Sequence, residues 1–243
     1  RPDLGHPRLP IDRVFTVSGF GTVVTGTLLG GALHLGDSVL VQPSGLKGRI
    51  RGLQTYRQQV TTAQPGTRVA VNLAGVERSD VKRGDVLALP DAFTPTQRLD
   101  VRFRHLPTAN TGLKHDTQVN LYVGTAETTA RVRLLADDQL APGADSWVQF
   151  ELDRPLVVTT GDCVIVRRPS PAQTIGGGVI VDAHPARRWR RFQPTVLHEL
   201  EIRLTGTPAE RLAQAANELA YPHALLRELG CPPTDSDRIL AEA

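Results

Sequence analysis

Cysteine is scarce in this chain of 243 residues, and long apolar runs are missing from it. The two cysteines, Cys163 and Cys231, stand apart and in no metal-ligand spacing, which favours a reduced cytoplasmic setting over a disulfide framework. No apolar run approaches the length that spans a membrane, and no signal-peptide pattern opens the sequence. We therefore expect a cytoplasmic protein without a membrane partner.

Several catalytic and nucleotide-binding motifs are also missing. The sequence contains no GxxxxGK[ST], GxSxG or HExxH pattern, so it cannot hold a nucleoside triphosphate in a P-loop. Gly19, Gly21 and Gly26 have the wrong spacing for a dinucleotide site, and a strand follows them where a phosphate site needs a helix. His105 and His115 are predicted to be surface or loop residues rather than metal ligands. We expect no metal, no cofactor and no catalytic activity in this chain.

The length, composition and net charge of the chain indicate a protein made of small β domains. The length, together with 22 glycines and 18 prolines lying between short runs of Val, Leu and Thr, indicates two small β domains. A net charge of +3 and a pI near 9.2 permit a polyanionic partner without requiring one. Arg1 in place of a starting methionine suggests a fragment of a longer protein.

Strand and turn patterns fill the first three quarters of the chain. Residues 11–31 are rich in β-branched side chains and interrupted by glycine, which predicts paired strands with a reversal at residues 19–21 and a bulge or close approach at Gly26. Three segments, residues 35–41, 83–89 and 160–166, each place a Gly-Asp turn before an apolar run. This repetition predicts two antiparallel β-barrels, over residues 1–93 and 94–185.

The remaining segments are less regular. The triple glycine 176–178 could be a ligand-contact loop, but close backbone packing at a barrel turn is the favoured interpretation. Residues 186–243 are predicted to form a linker and a helical module, with a capping box at Thr207 to Glu210 and further helical units expected at Ala224–Leu229 and Asp235–Glu242. This spacing fits a partial winged-helix domain and a bare helical hairpin about equally.

Charged residues at strand starts are the main candidates for a site. Asp12 and Arg13 open a strand that is otherwise nearly all apolar, and Arg68 opens another strand after a Pro-Gly turn. By pattern alone, a structural salt bridge between Asp12 and one of the arginines is favoured over a ligand site. The basic cluster at residues 187–191 fits either a patch for phosphates and stacked bases or a solvated linker.

Three segments resemble the bacterial selenocysteine-specific elongation factors, the SelB family. They read IDRVFTVSGFGTVVTGTLLGG at residues 11–31, GTRVAVNLAG at 66–75 and RPLVVTTGDCVIVRRPSPAQTIGGGVIVD at 154–182. The resemblance covers nearly the whole chain. It implies the second and third domains of such a factor, two barrels shared with elongation factor Tu, followed by the start of a winged-helix region.

Members of this family deliver selenocysteinyl-tRNA to the ribosome, in a GTP-dependent manner, at UGA codons marked by an mRNA hairpin. The resemblance therefore implies selenocysteinyl-tRNA and the ribosome as partners, and it assigns the hairpin to winged helices beyond Ala243. GTP and Mg²⁺ would bind in a guanine-nucleotide domain of the parent protein, so the parent is implied to be a GTPase while this chain catalyses nothing.

The resemblance places the family's aminoacyl pocket on Asp12, Arg13 and Arg68. A selenol is mostly an anion at neutral pH, whereas the hydroxyl of serine is neutral, so two guanidiniums would tell them apart by charge. A cation about 4 Å from an anion gains about 4 kcal/mol at an effective dielectric near 20, and even half of that exceeds a tenfold preference. Asp12 is expected to hold Arg13 through a planar pair, and lysine should replace either arginine poorly.

The second barrel is implied to hold the acceptor and T arms of the tRNA. Its arginines are equally compatible with phosphate contacts and with a solvent-facing role. The candidate tRNA contacts are Arg131, Arg133, Arg167, Arg168, Arg187, Arg188, Arg190 and Arg191. Two alternatives remain open, the barrels of another translational GTPase of the elongation factor Tu type and a stand-alone β-barrel that binds proteins.

Overall fold

The chain divides into two compact units, of which the first is a closed barrel. The computed structural model describes residues 4–19 and 21–216, and the units are built mainly from the residues up to Pro95 and from those after it. The strands of the first unit are β1 (Arg8–Val17), β2 (Gly21–Thr27), β3 (Leu33–His34), β4 (Ser38–Gln42), β5 (Leu46–Thr55), β6 (Gln58–Val60), β7 (Thr62–Ala63), β8 (Arg68–Ala74) and β9 (Val86–Ala88). A short 3₁₀ helix, Arg78–Asp80, precedes β9.

Six antiparallel strands close this first barrel in the order β4-β9-β1-β2-β8-β5, since β4 also pairs with β5. β6 extends β5 outside the ring, and β3 pairs with β7. Alternate side chains point inward, as in β8, where Val69, Val71 and Leu73 are buried. Together with Leu9 and Ile11 of β1 they form one apolar core.

The second unit contains another closed antiparallel barrel and two helices. Its strands are β10 (Thr96–His105), β11 (Leu113–Lys114), β12 (Gln118–Val123), β13 (Ala126–Leu134), β14 (Gln139–Leu140), β15 (Asp145–Leu156), β16 (Cys163–Arg168) and β17 (Gln173–Asp182). The ring order is β10-β15-β13-β12-β16-β17, with β17 closing onto β10. Phe103 and Phe150 meet edge to face in its core, with ring centroids 6.1 Å apart. The predicted fold class, two antiparallel barrels followed by helices, is confirmed.

The three Gly-Asp segments are the same turn used three times. In each, the glycine has a positive φ, and the following carboxylate accepts a hydrogen bond from the backbone N–H three residues before it. The pairs are Asp37 with His34 at 2.8 Å, Asp85 with Lys82 at 2.9 Å, and Asp162 with Thr159 at 3.0 Å. Each turn leads into a barrel strand, β4, β9 or β16, as the pattern predicts.

The triple glycine lies inside strand β17, so its predicted position at a barrel turn is wrong. The predicted close backbone packing is confirmed. A Cβ atom on Gly176 would collide with the Phe103 ring, and one on Gly178 would collide with the backbone oxygen of Arg102. The glycines therefore let β10 and β17 approach each other where any side chain would hold them apart.

Two helices follow the second barrel. The capping box of α2 (Pro208–Ala216) is confirmed, since the Thr207 N–H donates to Glu210 Oε2 at 2.7 Å and the Glu210 N–H donates to Thr207 Oγ1 at 3.3 Å. The preceding helix, α1 (Pro194–Thr205), falls where the sequence indicates a linker, and it buries Val196 and Leu200. The predicted helical units after Ala216 lie outside the described residues.

We expect Gly178→Ala to destabilise the protein by about 2 kcal/mol or more, because the new methyl group has no room beside the β10 backbone. Gly52→Ala is the matched control in a strand, since a Cβ there meets its nearest neighbour, Asn72, at an ordinary 3.6 Å. Urea unfolding of both variants measures the difference. Equal midpoints for the two variants would contradict the packing interpretation.

Candidate functional site

A β-bulge in β1 brings Asp12 and Arg13 to the same face of the first barrel. Ile11 pairs with Gly26 and Arg13 pairs with Thr25, so Asp12 is the extra residue in β1. Ile11 is fully buried and Val14 packs against the same core, which leaves two consecutive outward residues between them. In a regular strand Asp12 and Arg13 would point to opposite faces.

Asp12 is paired with Arg68, which confirms the salt bridge with one of the two arginines that the pattern predicts. The expected planar pair of Asp12 with Arg13 is wrong. Arg68 Nη1 donates to Asp12 Oδ2 at 2.6 Å, and Nη2 donates to Oδ1 at 3.0 Å. This is the planar two-point pairing that guanidinium and carboxylate favour. The hydroxyl of Thr25 donates to Oδ1 at 2.6 Å. Arg68 takes the place beside Asp12 that was expected for Arg13. It can do so because β8, which carries Arg68, follows β2 and β1 in the barrel order β1-β2-β8.

Asp12 stays ionised in this arrangement. Partial burial alone would raise the pKa of Asp12, but the hydrogen bonds from Arg68 and Thr25, with the charges of Arg68 and Arg13, outweigh it and hold the pKa below its ordinary value. Both guanidiniums therefore lie near enough to this one carboxylate to act on its charge. Arg68 makes the hydrogen bonds to Asp12, whereas the side chain of Arg13 has no hydrogen bond or ion pair with the described residues, and the three groups together keep a net charge of +1.

A cavity of about 640 Å³ opens beside Arg13. It is lined by Asp12, Arg13, Val14, Phe15, Arg78, Ser79, Val81, Lys82 and Arg83. Four of these side chains are cationic, and one, Asp12, is anionic. The cavity therefore favours an anionic ligand, while Phe15, whose side chain is 39% exposed, offers it an apolar wall.

Three of the cavity's cations, Arg78, Lys82 and Arg83, are absent from the sequence prediction. They lie on the 3₁₀ helix and the turn that precedes β9, and all three are exposed. Their side chains make no hydrogen bond or ion pair with the residues that the structure describes. The available sequence signal was three cations within six residues beside a Gly-Asp turn.

Some of the predicted tRNA contacts of the second barrel are bound to other groups of the protein, and others are not. Arg133 is buried, with 7% of its surface exposed, and its Nη2 donates to the Trp189 backbone oxygen at 2.8 Å, so it cannot reach a phosphate and that prediction is wrong. Arg131 forms an ion pair with Asp116 at 3.2 Å, and Arg168 donates to Thr111 at 2.6 Å. Arg167 is exposed on β16.

Most of the basic cluster at residues 187–191 is held against the second barrel. Arg188 pairs with Glu151 at 2.8 Å, and the Arg187 guanidinium lies 5.1 Å from the ring centroid of Trp189. Arg191 donates to the backbone oxygens of Leu134 and Asp137 and to the Asp138 carboxylate, at 2.9, 2.7 and 2.7 Å. Arg190 alone in the cluster is exposed and without a partner among the described residues. These contacts favour anchoring of the chain over a free phosphate patch.

Trp189 anchors this segment through a buried carboxylate. Its indole Nε1 donates to Asp100 Oδ2 at 2.6 Å, and Gln149 Nε2 donates to Oδ1 at 2.9 Å. Burial, opposed by these hydrogen bonds and reinforced by the charge of Asp182, raises the pKa of Asp100 to about 7. Arg203 of α1 pairs with Asp182 at 2.8 Å, so the same network also holds the helix.

Of the two histidines predicted to be surface or loop residues, His105 is wrongly placed and His115 is correctly placed. His105 is fully buried in β10, where its ring lies 6.4 Å from that of Phe103, and so it is neither a surface nor a loop residue. His115 lies in the loop after β11. Within residues 4–19 and 21–216, no group of three or more His, Cys, Asp or Glu side chains is placed to hold a metal ion. The helices in that same part of the chain are too short or too polar to cross a membrane.

Comparison with known proteins identifies these barrels. The first matches the family model of elongation factor Tu domain 2 over residues 21–88, which defines the class as translation elongation factors. The second matches the β-barrel domain model of the selenocysteine-specific elongation factor over residues 100–187. The two barrels therefore belong to the selenocysteine-specific elongation factor family, and the resemblance stated from the motifs is confirmed.

Individual relatives agree with this assignment. The chain is 43% identical over 175 residues to the selenocysteine-specific elongation factor of Desulfomicrobium baculatum, an alignment that covers 72% of this chain and 28% of that protein. Elongation factor 1-alpha of Pyrobaculum aerophilum is 33% identical over 166 residues, covering 66% of this chain and 35% of its own length. The chain thus spans about a third or less of these relatives.

A solved structure shows the same fold. The apo crystal structure of translation elongation factor SelB from Methanococcus maripaludis aligns with a TM-score of 0.67 and 24% identity, covering 76% of this chain and 44% of that one. At this identity the likeness concerns the arrangement of strands.

We expect Asp100→Asn to flatten the pH dependence of stability between about pH 4 and pH 7. The folded pKa of about 7 lies above the ordinary value of 3.8, so the neutral carboxyl stabilises the folded state fully below about pH 4, and this contribution is lost as the pH rises through 7. The amide cannot ionise and removes that slope. Urea unfolding across this pH range measures it.

Asp153→Asn is the control for that experiment, because Asp153 is exposed on β15, the strand that also carries Gln149. It should leave the pH profile unchanged. Parallel profiles for the wild type and Asp100→Asn would show that Asp100 does not titrate in this range.

Proposed function

We propose that this chain is the tRNA-binding portion of a selenocysteine-specific elongation factor, and that the cavity beside Arg13 receives the selenocysteinyl group. The observation that carries this proposal is the unequal use of the two arginines. Arg68 is hydrogen-bonded to Asp12, while Arg13 lies unpaired at the wall of a cationic cavity. The membership of both barrels in this family supports it.

Charge is the basis of the proposed selectivity. A selenolate carries a full negative charge at neutral pH, whereas the hydroxyl of a seryl group carries none. The unpaired guanidinium of Arg13 would attract the selenolate by up to about 4 kcal/mol at contact, before solvent exposure and desolvation reduce the gain. If about 1.4 kcal/mol of this attraction remains, the preference for the selenolate is still tenfold.

Arg68 has a different role in this scheme. Asp12 would repel a selenolate if its charge were left alone at the cavity wall. By pairing with both oxygens of Asp12, Arg68 compensates that negative charge and reduces the repulsion. Arg68 is thus a positioning residue, and Arg13 is the residue that contacts the ligand.

The rest of the function follows from the family. We propose that the parent protein delivers selenocysteinyl-tRNA to the ribosome at recoded UGA codons, with GTP and Mg²⁺ bound in a separate domain and the mRNA hairpin held by later winged helices. We propose domain limits of 1–93, 94–185 and 186–243, and a cytoplasmic location. All of the proposed phosphate contacts except the buried Arg133 are exposed or partly exposed, and of these the side chains of Arg167 and Arg190 have no hydrogen bond or ion pair with the described residues.

A second candidate function is tRNA binding in an elongation factor that is not specific for selenocysteine. The similarity to elongation factor 1-alpha favours considering it, since such barrels also occur there. The two candidates differ in one property, the preference for an anionic aminoacyl group. A protein-binding barrel, the third candidate, would show no preference among aminoacyl-tRNAs.

We expect the chain to bind selenocysteinyl-tRNA more tightly than the same tRNA charged with serine, and Arg13→Ala to reduce that preference at least about tenfold. Arg13→Lys should restore part of it, since a lysine keeps the charge but loses the planar fork. Lys47→Ala removes an exposed cation of β5 outside the cavity and should leave the preference unchanged. Competitive filter binding measures all four proteins.

Arg68→Ala should lose the preference as well, because it leaves Asp12 unpaired beside the cavity. The double variant Asp12→Asn/Arg68→Ala should regain part of it, since it removes the repelling charge together with its partner. No preference in the wild type, or an unchanged preference in Arg13→Ala, would refute the proposed function.

A further inference from the structure

Thr25 contacts both members of the Asp12–Arg68 pair. Its Oγ1 donates to Asp12 Oδ1 at 2.6 Å, and Arg68 Nη2 lies 3.4 Å from the same oxygen. The one hydroxyl proton is therefore committed to the carboxylate, and the lone pairs are left for the guanidinium. The three side chains form a closed ring of hydrogen bonds.

The position of Thr25 matters because Asp12 has two cations within reach. Thr25 pairs directly with Arg13 across β1 and β2, and the bulge places Asp12 and Arg13 on one face. The side chain of Arg68 is 55% exposed, and an ion pair so open to water is weak by itself. The Thr25 hydroxyl adds a third hydrogen bond to the two from Arg68, and so helps to hold the carboxylate toward Arg68 rather than Arg13.

Thr25 is suited to supply that third hydrogen bond. Its β-branched side chain restricts rotation about χ1, and it is half-buried in the middle of β2. The hydroxyl is therefore held in place before any ligand arrives, while the two arginines are long and flexible.

Resting on the function proposed above, we propose that Thr25 is a positioning residue that selects which arginine Asp12 neutralises. With the hydroxyl present, the carboxylate faces Arg68, and Arg13 keeps its charge for the ligand. Without the hydroxyl, the carboxylate turns toward Arg13, and the cavity loses its unpaired guanidinium. One side-chain oxygen thus controls the anion preference without contacting the anion.

Two substitutions at position 25 separate the hydroxyl from the shape. Thr25→Val keeps the branched shape and removes the hydroxyl, and we expect it to lower the preference for selenocysteinyl-tRNA over seryl-tRNA about tenfold, the effect of one hydrogen bond to a charged group. Thr25→Ser keeps the hydroxyl and should stay within about twofold of the wild type. Thr16→Val, at an exposed threonine of β1, is the control and should change nothing.

A second measurement needs no tRNA. The titration of the Asp12 carboxyl group, followed by NMR in the free protein, should move to higher pH in Thr25→Val and stay in place in Thr25→Ser. A merely structural role of Thr25 would lower the free energy of unfolding in both variants without this difference.

The outcomes distinguish this inference from the proposed function. If Arg13→Ala loses the preference while Thr25→Val keeps both the preference and the Asp12 titration, the proposed function stands and the role of Thr25 is refuted. If Arg13→Ala keeps the preference, the proposed function is refuted, and the role of Thr25 with it. If Arg13→Ala and Thr25→Val both lose the preference while Thr25→Ser keeps it, the proposed function and the role of Thr25 are both supported.

Discussion

The pairing of Asp12 with Arg68 decides which charge the first barrel presents to a ligand. Two arginines and one carboxylate leave a net charge of +1, and the geometry assigns that charge to Arg13. The assignment depends on backbone structure, because the bulge at Asp12 brings Asp12 and Arg13 to one face. The anion preference proposed for this site depends on that division between an arginine paired with Asp12 and one left for the ligand.

The barrel architecture could be predicted from the sequence because its signals are local. Gly-Asp turns with a positive φ at glycine and an accepting carboxylate are specified within four residues, and alternating apolar residues specify the inward face of each strand. The triple glycine was harder to place. Its packing requirement is visible in the sequence, but a strand and a turn both accommodate glycine, and only the neighbouring Phe103 and Arg102 show which applies.

The site could be predicted only in part, since its details depend on tertiary structure. Motif resemblance identified Asp12, Arg13 and Arg68. The predicted close approach at Gly26 is confirmed, since a Cβ atom there would collide with the Pro10 backbone oxygen. The bulge itself lies in the opposite strand, at Asp12, where simple alternation assumes a regular pleat. The cations at Arg78, Lys82 and Arg83 are distant from β1 in sequence, so no local pattern joins them to it. Helix α1 was missed because Gln193 provides no side-chain cap, and Pro194 was the one start signal.

The charge account is tested most directly by the acidity of the selenol in the bound state, followed by selenium NMR of selenocysteinyl-tRNA on the chain. A free cation beside the selenium stabilises the anion, so the account predicts a selenol pKa lower in the complex than in free selenocysteinyl-tRNA, and a return toward the free value in Arg13→Ala. An equal pKa in the free and bound states would contradict it, because Arg13 would then not act on the selenium.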